Sequence, residues 1–189
     1  MEEKNINQSV LENEEELVER ARVNDEAFGV LYEFYFKKIY GYTAKRVGHC
    51  QTTEDLVSQT FMKAFTKLDT YKKGTGSFKA WLYRIATNTI IDHYRKKGRR
   101  IEVDIEEIHH LESGELAPEL LTDRSIENVK IREVLSRLKE KEQEIIQLKF
   151  FGELSNDEIA NVLQISGNNA GVKVHRALTR FKEEYSKYV

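Results

Sequence analysis

Apolar side chains recur every three or four positions along most of this chain. Such stripes cover residues 14–48, 53–68 and 78–97, and this spacing predicts amphipathic α-helices, because a helix turns once every 3.6 residues. The stripe is interrupted near residues 23–25, so the first stretch is predicted to form two helices. Together these stretches predict one helical domain over residues 14–100.

Residues that can cap helices stand close to the predicted starts. Asp25 follows the interruption and is the expected cap of the second helix, because its side-chain oxygen can accept a hydrogen bond from a free backbone N–H group. Thr52 precedes Asp55 by three positions and is the expected cap of the next helix. A loop at residues 69–77, which contains two glycines, separates that helix from the one that follows.

The helical pattern resumes in a second predicted domain over residues 128–187. Ser155 and Glu158 have the spacing of a capping box at the start of a short helix. Ser166 follows a brief turn and is placed to cap a longer helix over about residues 167–184. This succession of short helix, turn and longer helix is typical of a helix-turn-helix.

The longer helix has a polar face suited to DNA. Ala160 is small at the point where the two helices must cross closely, and no acidic residue precedes Glu183 in the longer helix. Amides and guanidinium groups can reach base edges in the major groove, while other cations meet phosphates. The alternative is an amphipathic hairpin with a solvated basic face. The predicted DNA-binding residues are Asn168, Asn169, Val172, Lys173, Arg176 and Arg180.

Composition agrees with an all-α protein of two small helical domains joined by an acidic linker. The chain has 189 residues with only 10 glycines and one proline, which leaves few helix breakers. No apolar stretch approaches the roughly 20 residues that cross a bilayer, and the acidic N-terminus is unlike a secretion signal. The single cysteine, Cys50, cannot form an internal disulfide. We expect a soluble, cytoplasmic protein without membrane insertion, and no metal or other cofactor.

Charge is distributed unevenly along the chain, although the net charge is only −2. Residues 78–100 carry seven basic side chains and one acidic one, whereas residues 101–128 carry one basic and nine acidic ones. Residues 101–127 also contain the proline and have no sustained period, which predicts an acidic linker. The asymmetry favours a polyanion-binding site beside this linker, or else two faces that neutralise each other.

The basic helix of the first domain carries a second candidate nucleic-acid surface. Asp92 can pair with Arg95 or Lys96 and hold a cation in a fixed pose, while Phe78 and Trp81 are expected to belong to the core. Cations beside an aromatic-bearing loop can neutralise phosphates and accommodate unstacked bases. A merely solvated basic face is the alternative. The predicted contacts are Tyr71, Lys72, Ser77, Arg84, Asn88, Arg95, Lys96 and Arg99.

These motifs together resemble bacterial sigma factors of the extracytoplasmic-function (ECF) group. The segment TEDLVSQTFMKAF at residues 53–65 is similar to the second-region pattern of that family, and SFKAWLYRIATN at residues 77–88 is similar to its continuation. The segment SNDEIANVLQIS at residues 155–166 resembles the fourth region. Two departures leave the base preference at the minus-thirty-five element open: Asn168-Asn169-Ala170 replaces the frequent Gly-Thr-Val, and Lys139 replaces a frequent proline.

The resemblance implies a role for each surface. The first domain would bind core RNA polymerase and would melt and read the minus-ten promoter element, chiefly through Arg84, Asn88 and Arg95. The second domain would read the minus-thirty-five element as duplex, and the acidic linker would run toward the RNA exit path. An anti-sigma factor is an implied partner, and no small-molecule substrate is expected. The implied polymerase contacts are Asp55, Gln59, Met62 and Lys63.

Two other classes of protein are weighed against this interpretation. A helix-turn-helix repressor or activator would explain residues 128–187 but would leave the basic helix of the first domain without a role. An enzyme could use His49 and Cys50 as a nucleophile pair, or His109-His110 with Asp104 and Glu106 as a metal site. The nucleophile pair is disfavoured because adjacent residues point in different directions on a helix. The metal site is disfavoured because the histidine pair lies in an irregular acidic stretch without fixed ligand geometry.

Overall fold

The computed structural model describes residues 14–97, 130–131 and 133–187, and in these ranges the protein is all-helical, as predicted. A 3₁₀ turn follows the third helix, and residues 133–136 form a further helical turn. The predicted linker, Arg99 and the His109-His110 pair lie outside the described residues. The helices are α1 (14–21), α2 (Asp25–Val47), α3 (Cys50–Thr66), α4 (Phe78–Lys97), α5 (Glu140–Phe150), α6 (Asn156–Leu163) and α7 (Gly167–Tyr185), and the 3₁₀ turn is Leu68–Thr70.

Two of the predicted caps are wrong by one and three residues. The cap of α2 is Asn24, whose side-chain oxygen accepts a 2.8 Å hydrogen bond from the Glu26 backbone N–H, while Asp25 is already helical. Asp25, an acidic residue in the first turn, still stabilises the helix, because its negative charge lies near the positive end of the helix dipole. The cap of α3 is His49, whose Nδ1 atom accepts from the Thr52 N–H at 3.2 Å, so this helix begins at Cys50.

The first domain packs α2, α3 and α4 around a core of aliphatic and aromatic side chains. Phe78 and Trp81 are buried there, as expected from the sequence. Their rings meet at 5.5 Å between centroids, and Tyr35 packs against Phe78 at 5.6 Å. Edge-to-face and tilted contacts of this kind add to the gain from burial alone. The basic helix α4 is therefore fixed on its inner side by a rigid aromatic cluster.

The second domain is formed by α5, α6 and α7. The predicted capping box is present: the Ser155 hydroxyl accepts from the Glu158 N–H at 3.2 Å, and the Glu158 carboxylate accepts from the Ser155 N–H at 2.8 Å. Ser166 caps α7 as predicted, through a 3.4 Å bond from the Asn169 N–H. Ala160 is 6% exposed in α6, which packs against both α4 and α7, as expected for a small residue at a close helix contact.

The two domains pack against each other, with α6 lying on α4 and α5 near the end of α2. One continuous hydrophobic cluster runs from Val18 in α1 to Ala177 in α7. Gly152, in the turn between α5 and α6, lies so close to the Tyr83 ring of α4 that a Cβ atom would come within 3.1 Å of a ring carbon. The structure thus places the beginning of α4 directly beneath the second domain.

Candidate nucleic-acid and polymerase interfaces

Helix α7 presents the predicted DNA-binding residues on its outer face. At 100° per residue the six positions fall within an arc of about 140°. Five of the six are exposed, with Val172 at 49%, and Lys173 is half-buried. The opposite face is fixed in the core by Ala170, Val174 and Ala177. A row of amides and cations therefore stands on a helix whose position is set by its own packing.

The polar stripe of α4 is also present in the structure. Asn88, Arg95 and Lys96 are exposed, and Arg84 is half-buried. The expected pairing of Asp92 is with Arg95, whose Nη2 atom lies 3.0 Å from the Asp92 Oδ1 atom. This pair is solvent-accessible, so it orients the guanidinium group more than it stabilises the helix. The stripe leaves Arg95 accessible to a ligand.

Tyr71 does not stand free in the loop before α4. Its ring is 4% exposed and meets the edges of Phe78 and Trp81, and its hydroxyl donates to the Gly76 carbonyl at 3.1 Å. Burial, reinforced by nearby carboxylates, raises the pKa of the Tyr71 hydroxyl. The ring offers no face for base stacking in this conformation, because the apolar cluster holds it inward. Lys72 in the same loop is exposed.

Helix α1 and Arg22, the residue directly after it, anchor this loop, and these contacts were not predicted from the sequence. The Arg22 guanidinium donates to the Tyr71 carbonyl at 2.6 Å, and Lys73 lies 2.6 Å from the Glu15 carboxylate. The signal available in the sequence was the excess of acids in residues 1–27, which is opposite in charge to the lysines of the loop. An acidic helix thus lies against the basic loop and ties it to the core.

Ser77 lies at the junction of the two domains. Its hydroxyl oxygen accepts a hydrogen bond from the Ala80 N–H at 3.1 Å and so caps α4. The same hydroxyl donates to the Glu158 carboxylate at 2.6 Å. Ser77 is therefore half-buried and engaged by the second domain.

The outward face of α3 presents three of the four predicted polymerase contacts. Asp55, Gln59 and Met62 are exposed, with Met62 at 63%. Lys63 is half-buried, because its ammonium group donates to the Thr89 hydroxyl on α4 at 3.0 Å. Next to Met62, an open apolar groove runs between α2 and α3, and the sequence reasoning missed it. Its aromatic lining is Phe28, Tyr32, Phe36, Tyr40, Phe61 and Phe65.

The structure gives no support to the nucleophile pair, the enzymatic alternative already disfavoured by the sequence. The His49 ring caps α3, while the Cys50 sulfur lies 3.8 Å from the Tyr40 hydroxyl and 3.8 Å from a Glu54 carboxylate oxygen. Within residues 14–97, 130–131 and 133–187, no group of three His, Cys, Asp or Glu side chains is arranged to hold a metal ion. Over the same ranges, none of the helices combines the length and apolarity needed to cross a bilayer.

Comparison with known proteins agrees with this arrangement of helices. Residues 31–100 match the family model of sigma-70 region 2, and residues 128–181 match that of sigma-70 region 4. The chain is 32% identical over 158 residues to RNA polymerase sigma factor YlaC of Bacillus subtilis, and this match covers 83% of the chain and 91% of YlaC. The chain belongs to the ECF RNA polymerase sigma factors. A protein of this family is not an enzyme but a sigma factor that directs transcription initiation.

Two further matches extend the family assignment. The sigma factor is 37% identical over 157 residues to ECF RNA polymerase sigma factor BldN of Streptomyces coelicolor, which covers 82% of the chain but only 58% of BldN. Among solved structures, CnrH in complex with the cytosolic domain of CnrY is similar with a TM-score of 0.64 and 27% identity, over 88% of this chain and 93% of CnrH. Region 2 thus contains α3, α4 and most of α2, and region 4 contains α5 and α6 with most of α7.

Proposed function

We propose that this sigma factor binds promoter DNA through two separate surfaces, one in each region. The outer face of α7, which carries no acid before Glu183, is the observation that carries the proposal; the helix is capped by Ser166 and fixed from behind by the core. Its amides and guanidinium groups suit base edges in the major groove, and its remaining cations suit phosphates. On this proposal, α7 reads the minus-thirty-five element through Asn169, Lys173 and Arg176, assisted by Asn168, Val172 and Arg180.

The minus-ten surface is the stripe of α4 with the loop before it. Asn88 is an exposed amide that can hydrogen-bond to the edge of an unstacked base, and Arg84 and Arg95 can neutralise the phosphates beside it. Asp92 positions Arg95 through their ion pair. Lys72, Ser77, Lys96 and Arg99 complete the proposed contacts, whereas the buried ring of Tyr71 supports the loop from inside.

We also propose that α3 docks on core RNA polymerase. Asp55, Gln59 and Met62 form an exposed face that combines polar and apolar side chains. The aromatic groove beside Met62 extends this face, and an exposed apolar patch rimmed by polar residues is typical of a protein interface. Lys63 contributes to this surface from its edge, because its ammonium group is directed toward Thr89.

An anti-sigma factor is the further partner that we propose. CnrH, the similar solved structure, is in complex with the cytosolic domain of CnrY, and this supports a protein partner of that kind for this sigma factor. The exposed aromatic groove and the exposed face of α3 are surfaces that such a partner could cover.

Reconstituted transcription tests the two DNA surfaces. When core polymerase and this sigma factor transcribe fragmented genomic DNA, RNA synthesis should start at discrete positions. The 5′ ends of these RNAs locate the two promoter elements upstream. Arg176→Ala should weaken promoter binding by about 1–3 kcal/mol and relax the sequence preference upstream. Lys182→Ala, an exposed cation farther along α7, is the matched control. If Arg176→Ala keeps the same sequence preference at the upstream element, α7 does not read that element.

The minus-ten assignment has its own test in the same system. Arg84→Ala combined with Asn88→Ala should reduce the permanganate reactivity of thymines around the start site. Permanganate attacks unpaired thymines, and fewer bases stay unpaired when the surface that binds them is removed. The upstream preference should stay as in the unmodified protein. A repressor or activator that ignores polymerase would give no new start sites at all, and that result would contradict both assignments.

A further inference from the structure

Two buried threonines stand on either side of the exposed Asn88 in α4. Thr87 is 3% exposed and Thr89 is 2% exposed, whereas Asn88 between them faces solvent. The two threonines lie about 100° from Asn88 in opposite directions around the helix axis, because each residue of an α-helix turns by about that angle. The direction in which Asn88 faces is therefore set by whatever fixes the two threonines.

The hydroxyl of Thr89 is held from α3. It donates to the Ile85 carbonyl at 2.8 Å, one turn earlier in α4, so its oxygen lone pairs are available to accept. The Lys63 ammonium group of α3 donates to that oxygen at 3.0 Å. A hydroxyl that donates one hydrogen bond accepts a second one more strongly, and a charged donor makes the stronger bond. The Lys63–Thr89 bond is therefore a directed link between two helices.

Thr87 is held on the other side by α2. Its hydroxyl lies 2.8 Å from the buried Tyr42 hydroxyl. The Tyr42 oxygen accepts from the Arg46 guanidinium at 3.4 Å, and Arg46 is in turn paired with Glu144 of α5. Since the Tyr42 oxygen accepts there, its hydrogen can be donated to Thr87. Side chains of α2 and α3 thus fix the same turn of α4 from two sides.

The link from Lys63 also connects two of the proposed surfaces. Lys63 follows Asp55 and Gln59 at intervals of four residues, so the three residues share one side of α3. Asp55 and Gln59 are exposed, but the Lys63 side chain is half-buried and its ammonium group reaches α4. Lys63 therefore joins the proposed polymerase surface to the proposed minus-ten surface.

We propose that Lys63 is a positioning residue for the minus-ten surface. Its bond to Thr89 fixes the rotation of α4 against α3, so that Asn88 faces an unstacked base with Arg84 beside it, one turn away. The ammonium group itself contacts neither polymerase nor DNA. This inference rests on the proposed function of α4 as the minus-ten surface.

Substitutions at the two ends of the bond test the link without opening a large cavity. Lys63→Met removes the ammonium group and keeps the aliphatic stem, and Thr89→Val replaces the hydroxyl by a methyl group of similar size. Thr89→Ser keeps the hydroxyl and is the conservative variant. Lys67→Met, which removes an exposed lysine at the end of the same helix, is the matched control for the lost charge.

Melting is measured with the full holoenzyme at a promoter located by its RNA 5′ ends, with the sigma factor saturating core polymerase. Lys63→Met and Thr89→Val should each lower the permanganate reactivity of the melted thymines about tenfold, because each removes one end of a charged hydrogen bond. The double variant should be no worse than either single variant, since both remove the same bond. Thr89→Ser and Lys67→Met should melt the promoter as the parent protein does.

A second cycle with Asn88 separates positioning from a general loss of stability. If Lys63 acts by positioning Asn88, the loss caused by Asn88→Ala should be smaller in the Lys63→Met protein than in the parent protein. Two independent defects would instead multiply, as they would if Lys63→Met merely weakened the fold. Multiplied losses would overturn the positioning role.

Two further results would overturn the inference. One is normal melting in Lys63→Met at saturation, which would leave the ammonium group with at most a role in polymerase binding. The other is a loss in Lys63→Met that Thr89→Val does not share, because the ammonium group would then act elsewhere. The proposed function is tested separately by Asn88→Ala in the parent protein. Normal melting there would remove Asn88 from the minus-ten surface and overturn both proposals, whereas a loss there beside normal melting in Lys63→Met would overturn only the positioning role.

Discussion

The Glu158 carboxylate joins the start of α6 to the start of α4, because it accepts hydrogen bonds from the Ser77 hydroxyl at 2.6 Å and from the Ser155 N–H at 2.8 Å. One side chain therefore completes a capping box within region 4 and bonds to region 2, 81 residues earlier in the chain. Loss of this carboxylate should affect both the helix-turn-helix and the contact between the regions.

Acid should reveal this double role. Burial would raise the pKa of the Glu158 carboxyl, but the bonds from Ser77 and Ser155 and the charge of Lys79 outweigh it and lower that pKa. A lowered pKa in the folded state means that the carboxylate stabilises the protein at neutral pH and that this contribution disappears as the pH falls through the lowered pKa. Glu158→Gln should therefore lower the free energy of unfolding at neutral pH, with the difference from the parent protein shrinking in acid.

Urea unfolding at neutral pH and below about pH 4 measures this difference. Asp157→Asn, in the same first turn of α6, is the control and should not reproduce the pH dependence. A difference between Glu158→Gln and the parent protein that stays constant across this range would contradict the role assigned to the carboxylate.

Arg22 should control the order of the loop before α4. Its guanidinium donates to the Tyr71 carbonyl at 2.6 Å, and a hydrogen bond from a charged group contributes about 1.5–3 kcal/mol. Arg22→Ala should lower the free energy of unfolding by about that amount and accelerate amide hydrogen exchange in residues 72–76. Arg20→Ala, an exposed change in the last turn of α1 two residues earlier, should do neither. Unaltered exchange in Arg22→Ala would show that the loop is held by its aromatic contacts alone.

Gln59 should matter for polymerase binding and not for folding. It is exposed on the outer face of α3, so Gln59→Ala removes a polar contact without opening a cavity. We expect a loss of roughly tenfold in affinity for purified core polymerase, about 1.4 kcal/mol, with an unchanged circular dichroism spectrum. Glu33→Gln, exposed on α2, serves as the control. Normal recovery of core polymerase by Gln59→Ala would mean that the docking face lies elsewhere.

Ala160 should not tolerate a larger side chain. It is 6% exposed in α6, which packs against both α4 and α7, and adding methylene groups to a filled interface costs about 1–3 kcal/mol. Ala160→Leu should lower the free energy of unfolding by that amount in urea, and promoter binding through α7 should weaken with it. Lys182→Leu, which adds the same side chain at an exposed position, separates overpacking from added hydrophobicity. Equal stability of the two variants would argue against a tight crossing.

Local pattern was enough to predict most of the elements. The helices over residues 78–97 and 167–184, the capping box at Ser155 and Glu158, and the small Ala160 all depend on neighbours within a few positions, which periodicity records directly. The errors at the caps have local causes too. Asn24 and Asp25 are adjacent and both able to cap, and histidine is not among the residues that cap helices most often.

Contacts between distant segments could not be predicted in this way. The Arg46–Glu144 pair joins residues 98 positions apart, and nothing in either helix's own pattern selects the partner. Tyr71 was expected to face DNA because it stands among lysines in a loop, yet the cluster around Trp81 draws its ring inward. Lys63 was expected to point outward, but Thr89 lies within its reach. Tertiary neighbours decided each of these orientations.

The aromatic cluster has a practical consequence, because Trp81 is the single tryptophan of the chain. Its indole is 8% exposed and lies 5.8 Å, between ring centroids, from Tyr71 at the base of the loop. Tryptophan emission therefore originates at one known position and shifts to longer wavelength whenever rearrangement of that loop lets water reach the indole. The protein thus carries its own optical reporter of rearrangement in this loop, readable in real time without any attached dye.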